Sequence, residues 1–179
     1  MPELAVRELT SEDVPLIVNY WKTRSDENLI LMGVDKEKLL QFDFEPILRS
    51  QLELPNDKKG LYYVIWMMDG VPIGHSNVNK IVFGEDACMH LHVWAADNRQ
   101  KGIGGQMVLQ SLQYYFNSLD LKLVYCEPNA LNEAPNKTLA KVGFSFIKTY
   151  EPIPGPINFP HDQNRWEMTR KNYEQLPKL

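Results

Sequence analysis

Residues 98–106 read Asn98-Arg99-Gln100-Lys101-Gly102-Ile103-Gly104-Gly105-Gln106, and no other stretch restricts the fold so strongly. A strand-like run, Cys88 to Trp94, precedes it, and a helix-like run, Met107 to Phe116, follows it. A chain that passes from strand through clustered glycines into a helix presents that helix's N-terminus. Backbone N–H groups there have no helical partner, and the helix dipole adds partial positive charge. Glycines let this backbone approach a ligand closely and reach dihedrals that a Cβ resists. The turn is therefore an anion site suited to a phosphate or pyrophosphate. Arg99 and Lys101 add charge to it.

Spacing excludes two common phosphate loops. The Walker pattern needs Gly-Lys-Ser/Thr at its end, and no Lys-Ser/Thr follows these glycines. The dinucleotide fingerprint needs a third glycine where Met107 stands, and it belongs near the start of its domain.

The spacing that does fit is Arg99-x-x-Gly102-x-Gly104, which resembles the acetyl-CoA pyrophosphate loop, Arg/Gln-x-x-Gly-x-Gly/Ala, of the GNAT superfamily of N-acetyltransferases. Downstream, Asn132 to Phe144 (NEAPNKTLAKVGF) resembles the superfamily's Asn-x-x-Ser/Ala … Leu-x-Lys-x-Gly-Phe segment. The pattern is closest to the ribosomal-protein N-terminal acetyltransferases and covers roughly Ile73 to Thr149. Two positions depart from it. Pro135 replaces the usual Ser or Ala. Leu139 stands where some members carry a tyrosine that protonates the leaving thiolate, so the general acid is unassigned.

The rest of the chain fits a single acetyltransferase domain over 1–179. Leu4 to Thr10 alternates as a first strand, and Thr10-Ser11-Glu12-Asp13 offers a cap for a helix carrying Val14, Ile17, Val18 and Trp21. Asp26 to Gly33 reads as a loop or broken helix, and Asp35 to Leu52 as a second helix, broken around Phe44-Glu45-Pro46. From Leu61 the period changes to that of strands, with Asp69-Gly70 as a hairpin turn. Strands reach Phe83 and then Trp94. Beyond the glycine loop come a helix to about Asn117, a strand Lys122 to Cys126, a helix Glu133 to Lys141, strands Phe144 to Tyr150 and Arg165 to Thr169, and a polar tail. Strands first in a meander, then alternating with helices, give an α+β fold. The resemblance makes it a GNAT-like fold: a mixed, mostly antiparallel sheet of about seven strands with helices on both faces.

The resemblance also implies a site. The strands ending in Trp94 and Cys126 would splay, with pantetheine in the gap against the backbone of Val93, Trp94 and Ala95. Arg99, Gln100, Lys101, Gly102, Ile103, Gly104 and Gly105 would hold the pyrophosphate. Asn132 would contact the CoA arm, or cap the helix beginning at Glu133, or both. Acetyl-CoA would be co-substrate, without a metal, and the acetyl group would pass directly to a primary amine, either a peptide N-terminus or a small molecule. The alternative is a non-catalytic acyl-CoA sensor or interaction module.

Direct transfer needs a base for the amine. Glu127, at the end of the Leu121–Cys126 run, stands at the offset from Asn132 where the ribosomal-protein alanine acetyltransferases carry theirs, and burial would raise its proton affinity. His90 and His92 are two apart on a strand and share a face; a His-Leu-His strand resembles the paired histidines of arylalkylamine N-acetyltransferases. A histidine pair that is merely hydrogen-bonded on a strand face is the plainer account. His75 could complete a metal site, but nothing in the spacing supports one. Cys126 reads as a small buried hydrophobe, not a nucleophile. Phe159 and His161 lie in a proline-rich loop that either covers the acceptor or forms a rigid connection.

The formal net charge of −4 argues against nucleic acid or an anionic membrane as main partner. No apolar run approaches the roughly 20 residues of a membrane span, and Met1-Pro2-Glu3-Leu4 opens no signal sequence. Two cysteines fit a reducing cytoplasm. A homodimer stays open.

Overall fold

Tyr62, Val64 and Trp66 point to one side of a central strand, Tyr63 and Ile65 to the other, and none is more than 8% exposed. A strand buried on both faces needs a layer on each side, and the computed structural model supplies both. It describes residues 2–94 and 103–177. The elements are β1 (Leu4–Glu8), α1 (Val14–Lys22), α2 (Asp26–Leu31), α3 (Lys36–Leu40), α4 (Phe44–Leu52), β2 (Tyr62–Met68), β3 (Val71–Val82), β4 (Asp86–Val93), α5 (Ile103–Ser118), β5 (Leu123–Cys126), α6 (Glu133–Val142), β6 (Ser145–Tyr150), β7 (Gln163–Thr169) and α7 (Arg170–Glu174).

The sheet runs β1-β2-β3-β4-β5-β7-β6. Every pairing is antiparallel except β4 with β5. This is the expected mixed sheet of seven strands. One core packs α5 and α6 against Val64, Trp66 and Met89. A second packs α1 to α4 against Tyr63 and Ile65 on the opposite face.

Local chemistry explains the element ends and corrects several expectations. The first strand stops at Glu8, and Asp13 takes the N-cap position of α1 as expected, but its side chain makes no cap bond. Its carboxylate, 2% exposed, instead accepts from Arg7 Nη1 at 2.6 Å and Nη2 at 2.8 Å, and from Thr10 N and Oγ1 at 2.8 Å. The segment read as a loop or broken helix is α2, started by Ser25, whose hydroxyl accepts from Asn28 N. The second helix divides into α3 and α4 at 41–43, ahead of the expected place. Asp43 caps α4, so Pro46 falls in its first turn, where a missing N–H costs nothing. The polar tail contains α7, capped by Thr169.

Three places on the strands depart from regular geometry. Asp69 and Gly70, at φ 50° and 76°, form the primed turn that joins β2 to β3. Ile73 is an extra residue in β3, since Trp66 pairs with Gly74 but Met67 with Pro72; such bulges bend the strand. Further along β3 the pairing with β4 shifts again between Asn79 and Val82, and Lys80 there takes φ 50°.

Candidate functional site

The β4–β5 ladder begins at Asp86–Leu123 and ends at Met89–Cys126. From His90 on, β4 is no longer paired with β5. Trp94 N donates to Ile73 O at 2.9 Å, so its amide faces β3 and is not available to a ligand as expected. Strand alternation then turns the amide and carbonyl of Leu91, and of Val93, away from β3 and towards the gap.

The gap opens into a cavity of about 420 Å³ on the α1–α4 side of the sheet. Trp21, Phe42, Phe44 and Tyr63 form an aromatic wall, and Ile153 and Ile157 of the proline-rich loop close another side. That loop is pinned in place: Asp35 N donates to Ile157 O at 2.8 Å, and Asn158 Nδ2 to Gly33 O at 3.0 Å. Phe159 and His161 do not line the cavity; His161 Nδ1 and Phe159 O are 2.7 Å apart, within a rigid connection.

His90 and His92 both line the cavity from β4. They share a face, as the two-residue spacing requires. Across the strands His92 pairs with His75 and His90 with Asn77. His75 and His92 stack with ring centroids 4.5 Å apart. Trp94 Nε1 donates to His75 Nδ1 at 2.7 Å, which puts the His75 proton on Nε2, a buried atom with no partner. His92 Nδ1 lies 3.0 Å from the Tyr20 hydroxyl. Burial, the largest effect, pushes His75 down to about 3 and His92 well below its usual value; His90 and Arg24 depress His75 further, and His75 and His90 depress His92. His90 is lowered to about 4, by burial and then by Lys80, against the opposing pull of Glu127. Its Nε2 lies 3.1 Å from Asn79 Oδ1. An amide oxygen can only accept, so Nε2 carries the proton and Nδ1 keeps a lone pair.

Glu127 lines the cavity with its side chain 5% exposed, so the expected burial is found. It is not a bare buried acid, however. Oε1 accepts from the Tyr150 hydroxyl at 2.5 Å and from Arg165 Nη1 at 3.0 Å, and Lys80 Nζ lies 3.7 Å from Oε2. Arg165 also binds Glu167 at 2.8 Å and covers the Tyr125 ring. Cys126 is buried, donates Sγ–H to Met89 O, and has its thiol pushed well up by burial, the state of a small hydrophobe.

Of the residues expected to hold acetyl-CoA, Ala95, Arg99, Gln100, Lys101 and Gly102 lie outside the described residues. Ile103, Gly104 and Gly105 open α5. A Cβ on Gly104 would meet Thr138 at 3.7 Å, and one on Gly105 would meet Val142 at 3.5 Å, both ordinary contacts. Packing of α5 on α6 thus tolerates alanine at both positions, and the glycines are free to serve a ligand. Asn132 is the N-cap residue of α6, yet its side chain makes no cap bond; it lines the cavity. Leu139 is fully buried in the core.

Several residues of the site carry no motif. Asn79, Lys80, Tyr150 and Arg165 reach it only through strand pairing across long sequence separations. Among the described residues, no group of His, Cys, Asp and Glu is placed to hold a metal ion, and no helix is long and apolar enough to cross a membrane.

A family model described as the acetyltransferase (GNAT) domain matches residues 3–145. No curated protein sequence matches the chain. Among solved structures, the spermidine N-acetyltransferase from Vibrio cholerae, in complex with CoA and spermine, is similar at a TM-score of 0.76 and 16% identity, over 96% of this chain and 98% of that one. The aminoglycoside acetyltransferase AAC(6')-Ib, in complex with coenzyme A and kanamycin, is similar at 0.73 and 15% identity, over 97% and 98%. At these identities the likeness is one of fold.

Proposed function

The chain belongs to the acetyltransferase (GNAT) domain family, and on that premise we propose that it moves an acetyl group from acetyl-CoA directly to a small primary amine held in the cavity beside β4. One observation carries this reading: the open edge of β4 and the aromatic-walled cavity meet at His90, a neutral imidazole with a lone pair on Nδ1. Bound acetyl-CoA would supply the thioester. The amide edge at Leu91 would hold its arm and receive the developing oxyanion. The first turn of α5 at Ile103, Gly104 and Gly105, with Arg99, Gln100, Lys101 and Gly102 before it, would hold the pyrophosphate. Asn132 would meet the arm from the other side.

On attack by the neutral amine His90 would take the proton as full positive charge forms on nitrogen, the thioester C–S bond would break to release CoA as its thiolate, and Asn79 fixes the His90 tautomer. His92, packed against His75 and Tyr20, shapes the wall behind it. Glu127 holds Lys80, Arg165 and Tyr150 in place at the floor. Two free, buried cysteines fit a reducing, cytoplasmic setting.

The test is a pair of conservative variants assayed by acetyl-CoA-dependent thiol release. His90→Gln is expected to lower kcat by roughly 10²- to 10³-fold with acetyl-CoA affinity retained, the range of a lost general base. Glu127→Gln should lower it by less than about 10-fold, because it weakens a support and not the acceptor of the proton. The reverse order would transfer the base to Glu127. A second reading is a peptide N-terminus as acceptor, the substrate of the ribosomal-protein enzymes that the Asn132–Phe144 segment resembles. The pinned loop at Ile153–Asn158 favours the small molecule, since it narrows the side a peptide would enter.

A further inference from the structure

The described residues that line the cavity include a single carboxylate, Glu127, and a single ammonium, Lys80. The carboxylate is already compensated by Arg165, Tyr150 and Lys80 itself. Nothing in that lining is left to balance a further positive charge. Lys80 is held there by the backbone: it sits at φ 50°, where the β3–β4 pairing shifts. A lysine in the left-handed region is uncommon, and a bulge is a means of re-aiming a side chain. Its ion pair with Glu127 is long, at 3.7 Å, and Lys80 lines the cavity, so a cation entering beside it meets a like charge. The same cavity is lined by an aromatic cluster, with Trp21 stacked on Phe44 at 5.3 Å and 3° and Phe42 edge-on to Phe44 at 4.7 Å. Spermine and kanamycin, the ligands of the two solved structures, each carry several ammonium groups, and each extra one would enter beside Lys80 without a counter-ion.

Resting on the transfer reading above, we propose that the acceptor is an amine with one positive charge on an apolar body of about aromatic-ring size, and that Lys80 excludes polycations. The aromatic wall binds the body, and the lone ammonium gives up one proton to solvent before attack and a second to His90 on transfer, so no unbalanced ion stays behind.

The experiment compares 2-phenylethylamine, n-hexylamine, spermidine and kanamycin in two ways. Binding to the CoA-loaded protein is measured by calorimetry, and kcat/KM by thiol release. Lys80→Asn and Lys80→Asp serve as variants, because Asn and Asp tolerate a left-handed backbone better than other side chains. The wild type should favour phenylethylamine over spermidine by about 30-fold or more, and Lys80→Asp should cut that ratio about tenfold by gaining spermidine, the scale of one buried contact. Phe44→Ala should weaken phenylethylamine and leave spermidine unchanged. A wild type that prefers spermidine or kanamycin, or a ratio unmoved in both Lys80 variants, overturns the inference alone. Selective binding of phenylethylamine with no amine acetylated would sink the transfer reading and leave the charge preference standing. Binding of neither amine overturns both.

Discussion

Gly74→Ala probes the geometry on which the site depends. An ideal Cβ at Gly74 would lie 2.4 Å from His92 O and 3.3 Å from Val93 Cα. Ordinary contact begins at 3.4 Å, so about 1.0 Å of relief is needed against backbone, not against a flexible side-chain tip. The strands cannot supply it freely. Trp94 N to Ile73 O is 2.9 Å, and moving β4 away by that amount takes the bond beyond hydrogen-bonding range. One or two lost backbone bonds at about 1 kcal/mol each, with overpacking of roughly 1–3 kcal/mol, predict a loss of about 2–5 kcal/mol. For a chain of this size that lowers Tm by roughly 4–20 °C. The displaced residues are His92 and Val93, at the open edge of β4, so kcat/KM should fall about 10²-fold even well below the melting point, the penalty of a 1 Å misplacement. Gly104→Ala is the control. Its Cβ meets Thr138 at an ordinary 3.7 Å, so stability should hold or rise by up to about 1 kcal/mol, and only the KM for acetyl-CoA should increase. Thermal melts and initial rates on both variants decide the matter. If Gly74→Ala melts with the wild type and keeps its turnover, the close approach of β3 to β4 does not constrain the site, and the reasoning fails.

Two further expectations concern stability. His75, His90 and His92 have folded pKa values depressed below the ordinary 6.5, so below that pH the unfolded chain binds protons that the folded chain refuses. Stability should therefore fall as pH drops from about 6.5 towards 4, by up to about 1.4 kcal/mol per pH unit for each histidine; urea midpoints at pH 7 and 5 that coincide would contradict this. Asp13→Asn leaves Arg7 without its charge partner and weakens the bonds from Thr10, and should cost about 2–3 kcal/mol in urea unfolding, less than a fully buried pair because Arg7 is 38% exposed. Burial, the largest single effect, pushes the Asp13 carboxyl up, but Arg7 and Thr10 together outweigh it and hold it below the usual range. Its contribution is present above pH 4 and fades as pH falls through the lowered value, a loss the variant should not show.

The elements that could be read in advance were those whose signal is local. Asp69-Gly70 announces a hairpin because both residues accept positive φ, and the short apolar and aromatic run Leu61 to Met68, ending at that turn, announces a strand. His90 and His92 share a face by periodicity alone. What escaped was set by pairing at a distance. Nothing about Lys80 or Arg165 in their own neighbourhoods says that they meet at Glu127, 47 and 38 residues away. His75 was visible as a histidine but not as the stacking partner of His92, because that contact is a consequence of β3–β4 register. Asp13 shows the opposite error: a residue with good cap chemistry was claimed by a stronger partner, Arg7, across the turn. The glycine turn itself, Arg99 to Gly102, was the most legible motif and lies outside the described residues.

The two cores divided by the sheet differ in how they are held. On one side α5 alone spans 16 residues, whereas α1 to α4 have nine, six, five and nine. Helices that short have little stability of their own, so the layer of α1 to α4 owes its order to packing on Tyr63, Ile65 and the pinned loop. It should open as a unit before the rest, with amide hydrogens of α1 to α4 exchanging at lower free energy than those of α5 and β2 to β4. A layer that unfolds by itself can also be rewritten by itself. If the proposed transfer takes place in this cavity, substitutions along Trp21, Phe42 and Phe44 should change which amine is admitted while the core around Trp66, Met89 and α5 stays folded.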